Sequence, residues 1–477
     1  MEFNGGHCLH VVMFPFFAFG HISPFVQLSK KLSLHGVKIS FFSALGNVNR
    51  IKSMLHSDSA PTTTQVIPLT LPPVQGLPPG LESTGDLSRA QSELLNLALD
   101  LMQPQISSLL SQLKPHIVLF DFAQDWLPPL ASQLGIKTVF YSVFAALSTS
   151  YLTVPARLPG STSYLARPSA IADLKKPPPG FPETSIKSVE TFEARGFLYM
   201  FKSFYSGASV YDRVLRGLNG CDVILAKTCR EMEGPYVDYV TQQFKKPVLL
   251  VGPVVPEPSS EPLEGRWASW LGQFEPKSVI YCSFGSEAFQ SDERVKELLL
   301  GLDLTGLPFF VVLNFPADAD ISAVLKRALP EGFLEKVKHK AVIHAGWVQQ
   351  EQILAHQSVG CYVFHAGFSS VVEAIVNDCQ LVMLPVRGDQ LLNAKLVSGD
   401  LKAGVEVNRR DVDGYFGKDD IKDAVGRVMA DIDKEPAKSI RGNHKKWKEF
   451  LQNSEIQTKF VSDLVKEMEA MAGLHTV

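Results

Sequence analysis

Residues 360–374, GCYVFHAGFSSVVEA, pass from an unbroken apolar run into a helix-like pattern through a short patch of small and polar residues. A continuous apolar run bounded in this way reads as a parallel strand covered on both faces, and the pattern after it as the helix of a βαβ unit. The turn between them holds His365, Gly367, Ser369 and Ser370. Small residues let a ligand approach the backbone, and the free amides and dipole of a helix N-terminus attract an anion. A diphosphate fits such a turn, with His365 and the serine hydroxyls as further donors. Glu373 lies one helical turn on, on the same face, where a carboxylate accepts hydrogen bonds from a ribose diol.

The same alternation of strand and helix extends in both directions. Strand candidates in the first half are Leu9–Phe16, Val37–Ser43, Val66–Leu71, His116–Phe120, Lys137–Ser142 and Asp222–Lys227. In the second half they are Ser278–Phe284, Pro308–Leu313, Ala341–His344, Gly360–Phe364 and Gln380–Leu384. Strands alternating with helices predict an α/β protein of two doubly wound, Rossmann-like parallel sheets. The series breaks at Gly252–Gly265 (GPVVPEPSSEPLEG), whose prolines, serine and glutamates favour an extended, solvated linker. The expected architecture is therefore two domains, 1–252 and 253–455, facing a cleft, with 456–477 as a C-terminal helix packing back on the first. A proline-rich stretch, 155–190, interrupts the first domain. The aromatic, helix-like run after it (Phe192, Phe197, Tyr199, Phe201, Phe204, Tyr205, Tyr211) reads as core with a share in a pocket wall.

Composition narrows the function classes. The chain has 477 residues, 45% hydrophobic and 20% charged, with a formal net charge of −3. A near-neutral balance provides no field for gripping nucleic acid. No apolar stretch reaches the ~18 residues of a membrane span, and no basic n-region with a small-residue cleavage site opens the chain. The cysteines, Cys8, Cys221, Cys229, Cys282, Cys361 and Cys379, form no C-x-x-C pair and read as reduced core thiols of a cytoplasmic protein. Asp318-Ala319-Asp320 resembles a metal–nucleotide motif, but the pattern recurs at Asp411/Asp413 and Asp431/Asp433. No metal and no cofactor are expected. The basic run Arg441–Lys448 reads as a solvated helix face.

Around the diphosphate turn, the dinucleotide fingerprint and the Walker A loop are both absent. Trp347-Val348-Gln349-Gln350 follows a strand, and Trp347 could stack on a base. Asp389-Gln390, beyond the next strand, present an acceptor and an amide of the kind that bind sugar hydroxyls. In the first domain His21, in Gly20-His21-Ile22-Ser23-Pro24, follows the first strand just before a helix whose first turn suits Pro24. Asp121 ends another strand on the same edge. A neutral histidine accepts a proton near pH 7, and a carboxylate behind it fixes its tautomer. Asp125 is a competing partner.

The ordered block W-V-Q-Q…H-A-G-F-S-S…E…D-Q closely resembles the signature box of plant UDP-dependent small-molecule glycosyltransferases, of GT-B fold. The likeness also takes in F-P-F-F-A-F-G-H-I-S-P at the N-terminus and the closing helices. It implies that Trp347 stacks on uracil and Val348 offers backbone atoms to its edge. It assigns Gln350 and Glu373 to the ribose, and His365, Gly367, Ser369, Ser370 and Ser286 to the phosphates. Asp389, Gln390, Gly20 and Ser142 are assigned to the transferred sugar. Phe368-Ser369 stands where the family usually has Trp-Asn, which makes the serine's phosphate contact less direct. The resemblance further implies that the first domain binds the acceptor and the second the UDP-sugar, in a monomer. His21 would be the general base and Asp121 its partner, in a single displacement that inverts the anomeric carbon.

L-F-D-F-A, C-R-E-M-E-G and N-D-C-Q resemble the branch-forming members, which add a second sugar to a glycosylated phenylethanoid, flavonoid or terpenoid. The expected donor is UDP-rhamnose, ahead of UDP-glucose and UDP-xylose. Rhamnose lacks a 6-hydroxyl, and Phe16, Phe17, Phe19 and Phe368 would provide apolar neighbours. The alternatives are direct glucosylation of an aglycone and a non-catalytic sugar-nucleotide-binding protein.

Overall fold

The computed structural model describes residues 8–55, 63–87, 89–158, 170–203, 207–258, 261–285, 291–313, 321–430 and 433–474. Ser286, Phe204, Tyr205, Asp318, Asp320 and Asp431 lie outside them.

The first sheet is parallel throughout. Its strands are β1 (His10–Phe14), β2 (Lys38–Ala44), β3 (Thr64–Leu69), β4 (Ile117–Phe120), β5 (Lys137–Ser142), β6 (Val223–Ala226) and β7 (Val248–Leu250). They lie in the order β3-β2-β1-β4-β5-β6-β7. The second sheet, also parallel, has β8 (Val279–Ser283), β9 (Phe309–Leu313), β10 (Ala341–Ala345), β11 (Val359–Phe364), β12 (Gln380–Met383) and β13 (Gly404–Glu406), in the order β10-β9-β8-β11-β12-β13. Every strand read from the sequence is present. β7 and β13 are additions at sheet edges, each of three residues, too short to show a period.

The strand order reverses at β1/β4 in one sheet and at β8/β11 in the other. At such a point the following chains leave in opposite directions and open a crevice beyond the carboxyl ends. The register Phe14↔Phe120 places the ends of β1 and β4 side by side, so the residues following them meet at one crevice.

The helix Ser454–Met471 buries Val461, Leu464, Val465 and Met468 in the same core cluster as Leu9, Val11, Ile22 and Ile39 of the first domain. Val251 and Val254 join that cluster, so the start of the linker is covered rather than solvated. Gly252 has φ +73°, and a Cβ there would lie 2.5 Å from the Phe460 ring, so only glycine fits beneath this helix. Further on, the linker is tied to the second domain: Gln349 donates to Pro262 O at 2.9 Å and accepts from Glu264 N–H at 2.7 Å.

Three other readings are corrected. The aromatic run does not form one helix but breaks into Thr191–Phe197, a 3₁₀ turn at Leu198–Phe201, and Val210–Gly220, with Phe197, Phe201 and Tyr211 in the core. Cys8 is exposed while the other five cysteines are buried, all of them as free thiols. The face of Arg441–Lys448 is not wholly solvated, because His444 is fully buried against Cys379 O at 3.0 Å. Burial pushes that imidazole down to about 4, so it packs as a neutral group.

Candidate active site

The helix after β1 begins at Phe19, so Gly20 and His21 occupy its first turn rather than preceding it. Ala18 O accepts from both His21 N–H and Ile22 N–H at 2.8 Å, which starts the helix early. Pro24 then falls inside it, where it has no N–H to offer the Gly20 carbonyl. This turn sets the His21 ring against the end of β4. His21 Nδ1 lies 2.6 Å from Asp121 Oδ2. Asp121 is buried and caps the turn after β4, accepting from Phe122 N–H at 2.7 Å and from Phe16 N–H at 3.3 Å. Its carboxylate is therefore fixed from three directions. Asp125 is engaged elsewhere, 2.9 Å from Arg213 and 2.6 Å from Arg216, and is not the partner of His21.

Phe16, Phe122 and Phe144 surround the imidazole, with ring centroids 5.6, 5.4 and 5.2 Å from it. Of the phenylalanines expected beside the sugar, Phe16 alone makes such a ring contact with His21. Phe17 and Phe368 are buried in the cores of the two domains, and Phe19 lies under the Arg50 guanidinium at 3.4 Å. Phe17 and Phe368 pack into their sheets, because each opens or precedes a helix whose apolar face must be covered.

Across the cleft, Gly367 caps the helix Phe368–Val376, and Ser369 and Ser370 follow in its first turn, both partly exposed. The His365 ring sits so close to the backbone that a Cβ on Gly285 would be 3.1 Å from it and one on Gly367 2.8 Å. Glycine at both places is what admits the imidazole to the turn. Glu373 accepts from Gln350 Nε2 at 2.9 Å, and Gln350 Oε1 accepts from the Tyr362 hydroxyl at 3.0 Å. Burial pushes the Glu373 carboxyl up to about 7, against the hydrogen bond from Gln350 and the positive charge of Lys227. Trp347 is 78% exposed, a large ring held in water with its neighbour Val348 buried.

Asp389 opens the helix Asp389–Lys395 and accepts from Asn393 Nδ2 at 3.0 Å. Asn393 also donates to Ala366 O at 3.0 Å, tying this helix to the His365 turn. Burial raises the Asp389 carboxyl, and His21, facing it across the cleft, works in the opposite direction. Gln390 folds its oxygen back onto Val386 N–H and Arg387 N–H, at 3.1 and 3.2 Å, which leaves its amide nitrogen as the group it can present. Ser142, at the end of β5, is buried beside this edge.

The structure thus brings together His21, Asp121 and Asp389, and separately Gln350, Glu373, His365, Ser369 and Ser370. Reading the sequence missed Asn393, Phe122, Phe144 and Lys227. The available signal for Lys227 was a lysine ending an apolar strand, a costly position unless it faces a site. Among the described residues, no group of three or more His, Cys, Asp and Glu is placed to hold a metal ion, and no helix is long and apolar enough to cross a membrane.

Comparison with known proteins follows the same outline. A family model described as UDP-glucoronosyl and UDP-glucosyl transferase matches residues 239–446. An anthocyanidin-3-O-glucoside rhamnosyltransferase of Petunia hybrida is 67% identical over 99% of this chain and 98% of its own length. An anthocyanidin 3-O-glucoside 2''-O-glucosyltransferase of Ipomoea nil is 40% identical over 97% of this chain and 98% of its own. The crystal structure of Glycyrrhiza uralensis UGT73P12, complexed with glycyrrhetinic acid 3-O-monoglucuronide, superposes with a TM-score of 0.75 at 21% identity, covering 97% of this chain and 96% of that one.

Proposed function

This chain belongs to the plant UDP-dependent glycosyltransferases, within their branch-forming group, and from that premise we propose that it transfers rhamnose from UDP-rhamnose to a sugar hydroxyl of a glycosylated flavonoid-type metabolite. The observation that carries the reading is the 2.6 Å hydrogen bond between His21 and Asp121 at the switch point of the first sheet. With the Nδ1 proton committed to Asp121, neutral His21 has Nε2 as its basic nitrogen. An acceptor hydroxyl gives its proton to Nε2 as its oxygen attacks the anomeric carbon. The bond from that carbon to the β-phosphate oxygen breaks on the opposite side, and its electron pair leaves with UDP. Asp121 stabilises the imidazolium that forms. The aromatic box holds the ring and excludes water that would compete with the acceptor.

On the donor side, Trp347 stacks on uracil and the Val348 backbone meets its edge. Gln350 and Glu373 take the ribose diol. His365, Ser369, Ser370 and the helix N-terminus take the diphosphate, with no metal required. Asp389 and the Gln390 amide take the sugar, with Gly20 and Ser142 on the opposite edge. The name of the Petunia relative, a 3-O-glucoside rhamnosyltransferase, supports the donor and the acceptor class, and the Ipomoea relative makes UDP-glucose the next donor to test.

The test is a mass-spectrometric turnover screen. UDP-rhamnose, UDP-glucose and UDP-xylose are each offered with a flavonoid-type aglycone and with its 3-O-glucoside. Turnover concentrated on UDP-rhamnose with the glucoside is the expected result. Product from the aglycone with UDP-glucose would replace branching by direct glucosylation. Binding of UDP-sugars without product from any pair would leave a non-catalytic sugar-nucleotide-binding protein.

A further inference from the structure

Lys227 follows β6 at its carboxyl end, in line with the strand ends that present His21, Asp121 and Ser142. Its backbone N–H donates to Ser142 O at 3.1 Å, which fixes the residue to that edge. From there the side chain crosses to the other domain, and Nζ lies 2.5 Å from Ser369 Oγ, at the start of the helix Phe368–Val376. The residue is 0% exposed. An ammonium has three donors, and among the described residues this one makes its one side-chain hydrogen bond to Ser369. Burying a cation with so little compensation is expensive, and a glutamine would have tied the two domains through the same hydroxyl at less cost. Burial draws the ammonium down to about 8, with Glu373 opposing that change.

We propose that Lys227 is a cation which the N-terminal domain lends to the donor's diphosphate, in place of a resident charge on the second domain. The inference rests on the reading of the Ser369 turn as the diphosphate site. When a diphosphate occupies the helix N-terminus, its oxygens complete the hydrogen bonding of Nζ, and the buried charge acquires its counter-ion. During transfer the anomeric carbon–oxygen bond breaks, and the electron pair collects on the β-phosphate oxygen of departing UDP. A fixed ammonium beside that oxygen stabilises charge where it develops. The arrangement also makes donor binding depend on closure, because the cation and the helix terminus belong to different domains.

Calorimetric titration of UDP, UMP and uridine into the native chain and two variants tests this. Lys227→Met removes both the charge and the donor; Lys227→Gln keeps a donor for Ser369 without the charge and serves if Lys227→Met does not fold. Both are expected to bind UDP about tenfold more weakly or worse, while uridine stays within about twofold. The inference is overturned if Lys227→Gln binds UDP as the native chain does, since the tie to Ser369 would then suffice. Equal losses for UDP and uridine would also overturn it, by showing that the residue acts on domain closure alone. A native chain that binds no UDP would bring down the nucleotide reading itself, a result distinct from either.

Discussion

Among the described residues, the candidate donor-binding groups of the C-terminal domain come from one stretch, Trp347 to Gln390, and burial pushes two of its carboxyls, Glu373 and Asp389, toward their neutral forms. In the N-terminal domain His21 and Asp121 stand 100 residues apart in sequence, yet they arrive already hydrogen-bonded at 2.6 Å, with the acid held by two backbone amides. One face holds desolvated carboxyls to which a ligand can offer hydroxyls. The other is preassembled and needs only a proton to accept. Binding is thus expected to be governed chiefly by one region and chemistry by the other, with Lys227 the exception that crosses between them.

The largest expected effect is on the preassembled side. His21→Ala should lower turnover by about 10²–10⁴-fold, the usual contribution of a positioned base, while UDP affinity stays within about twofold. A comparable loss of UDP affinity would break the division of labour. Phe122 and Phe16 donate to different oxygens of Asp121. Asp121→Asn therefore keeps an acceptor for only one of them and presents no carboxylate to the imidazolium, so turnover should fall about a hundredfold, again without loss of UDP binding.

The donor face should behave the other way. Trp347→Ala should weaken UDP by about 1–3 kcal/mol, the worth of one base–aromatic stack, and leave the melting temperature unchanged because the ring is 78% exposed. A fall in melting temperature would instead make Trp347 a packing residue.

A smaller effect lies in pH. The groups bearing on Glu373 are Gln350, Lys227 and Glu351, and Glu373 is the charge facing Lys227. With the ribose role proposed for Glu373 and the diphosphate role proposed for Lys227, the binding form is the carboxylate and the ammonium, so kcat/KM for the donor should rise through about pH 7 and fall above about 8. Stability follows with its own sign. A carboxyl raised from 4.5 to about 7 contributes stability fully present below its unfolded value and lost as pH rises through about 7. An ammonium lowered from 10.5 to about 8 contributes stability present above its unfolded value and lost as pH falls through about 8. Glu373→Gln should therefore raise the unliganded melting temperature at pH 8, remove the Glu373 share of the rising limb and leave only the share that belongs to the base, and weaken uridine. A melting temperature lowered by that substitution would show that Glu373 is structural.

The contrast between the faces also explains what could be read from the chain. The donor face is built by consecutive strand-to-helix turns, so its residues fall in order along one segment, and each apolar run announces a strand. His21 and Asp121 were legible as strand-end residues, and parallel pairing of β1 with β4 is what joins them. No local pattern distinguishes Asp121 from Asp125; the choice is made by Arg213 and Arg216, which reach Asp125 from a distant helix. Phe17 and Phe368 look as available to a sugar as Phe16; all three are buried, and only packing decides that Phe16 is the one set against His21. Lys227 needed both sheets in place, since its meaning comes from Ser369, 142 residues on.

The most direct test of the account is the anomeric configuration of the transferred sugar, read by NMR on the product formed from UDP-rhamnose and the flavonoid-type 3-O-glucoside. Direct attack by a hydroxyl deprotonated by His21 predicts inversion relative to the donor. Retention would require a covalent sugar on the protein and a second displacement, and would contradict the role given to His21 and Asp121.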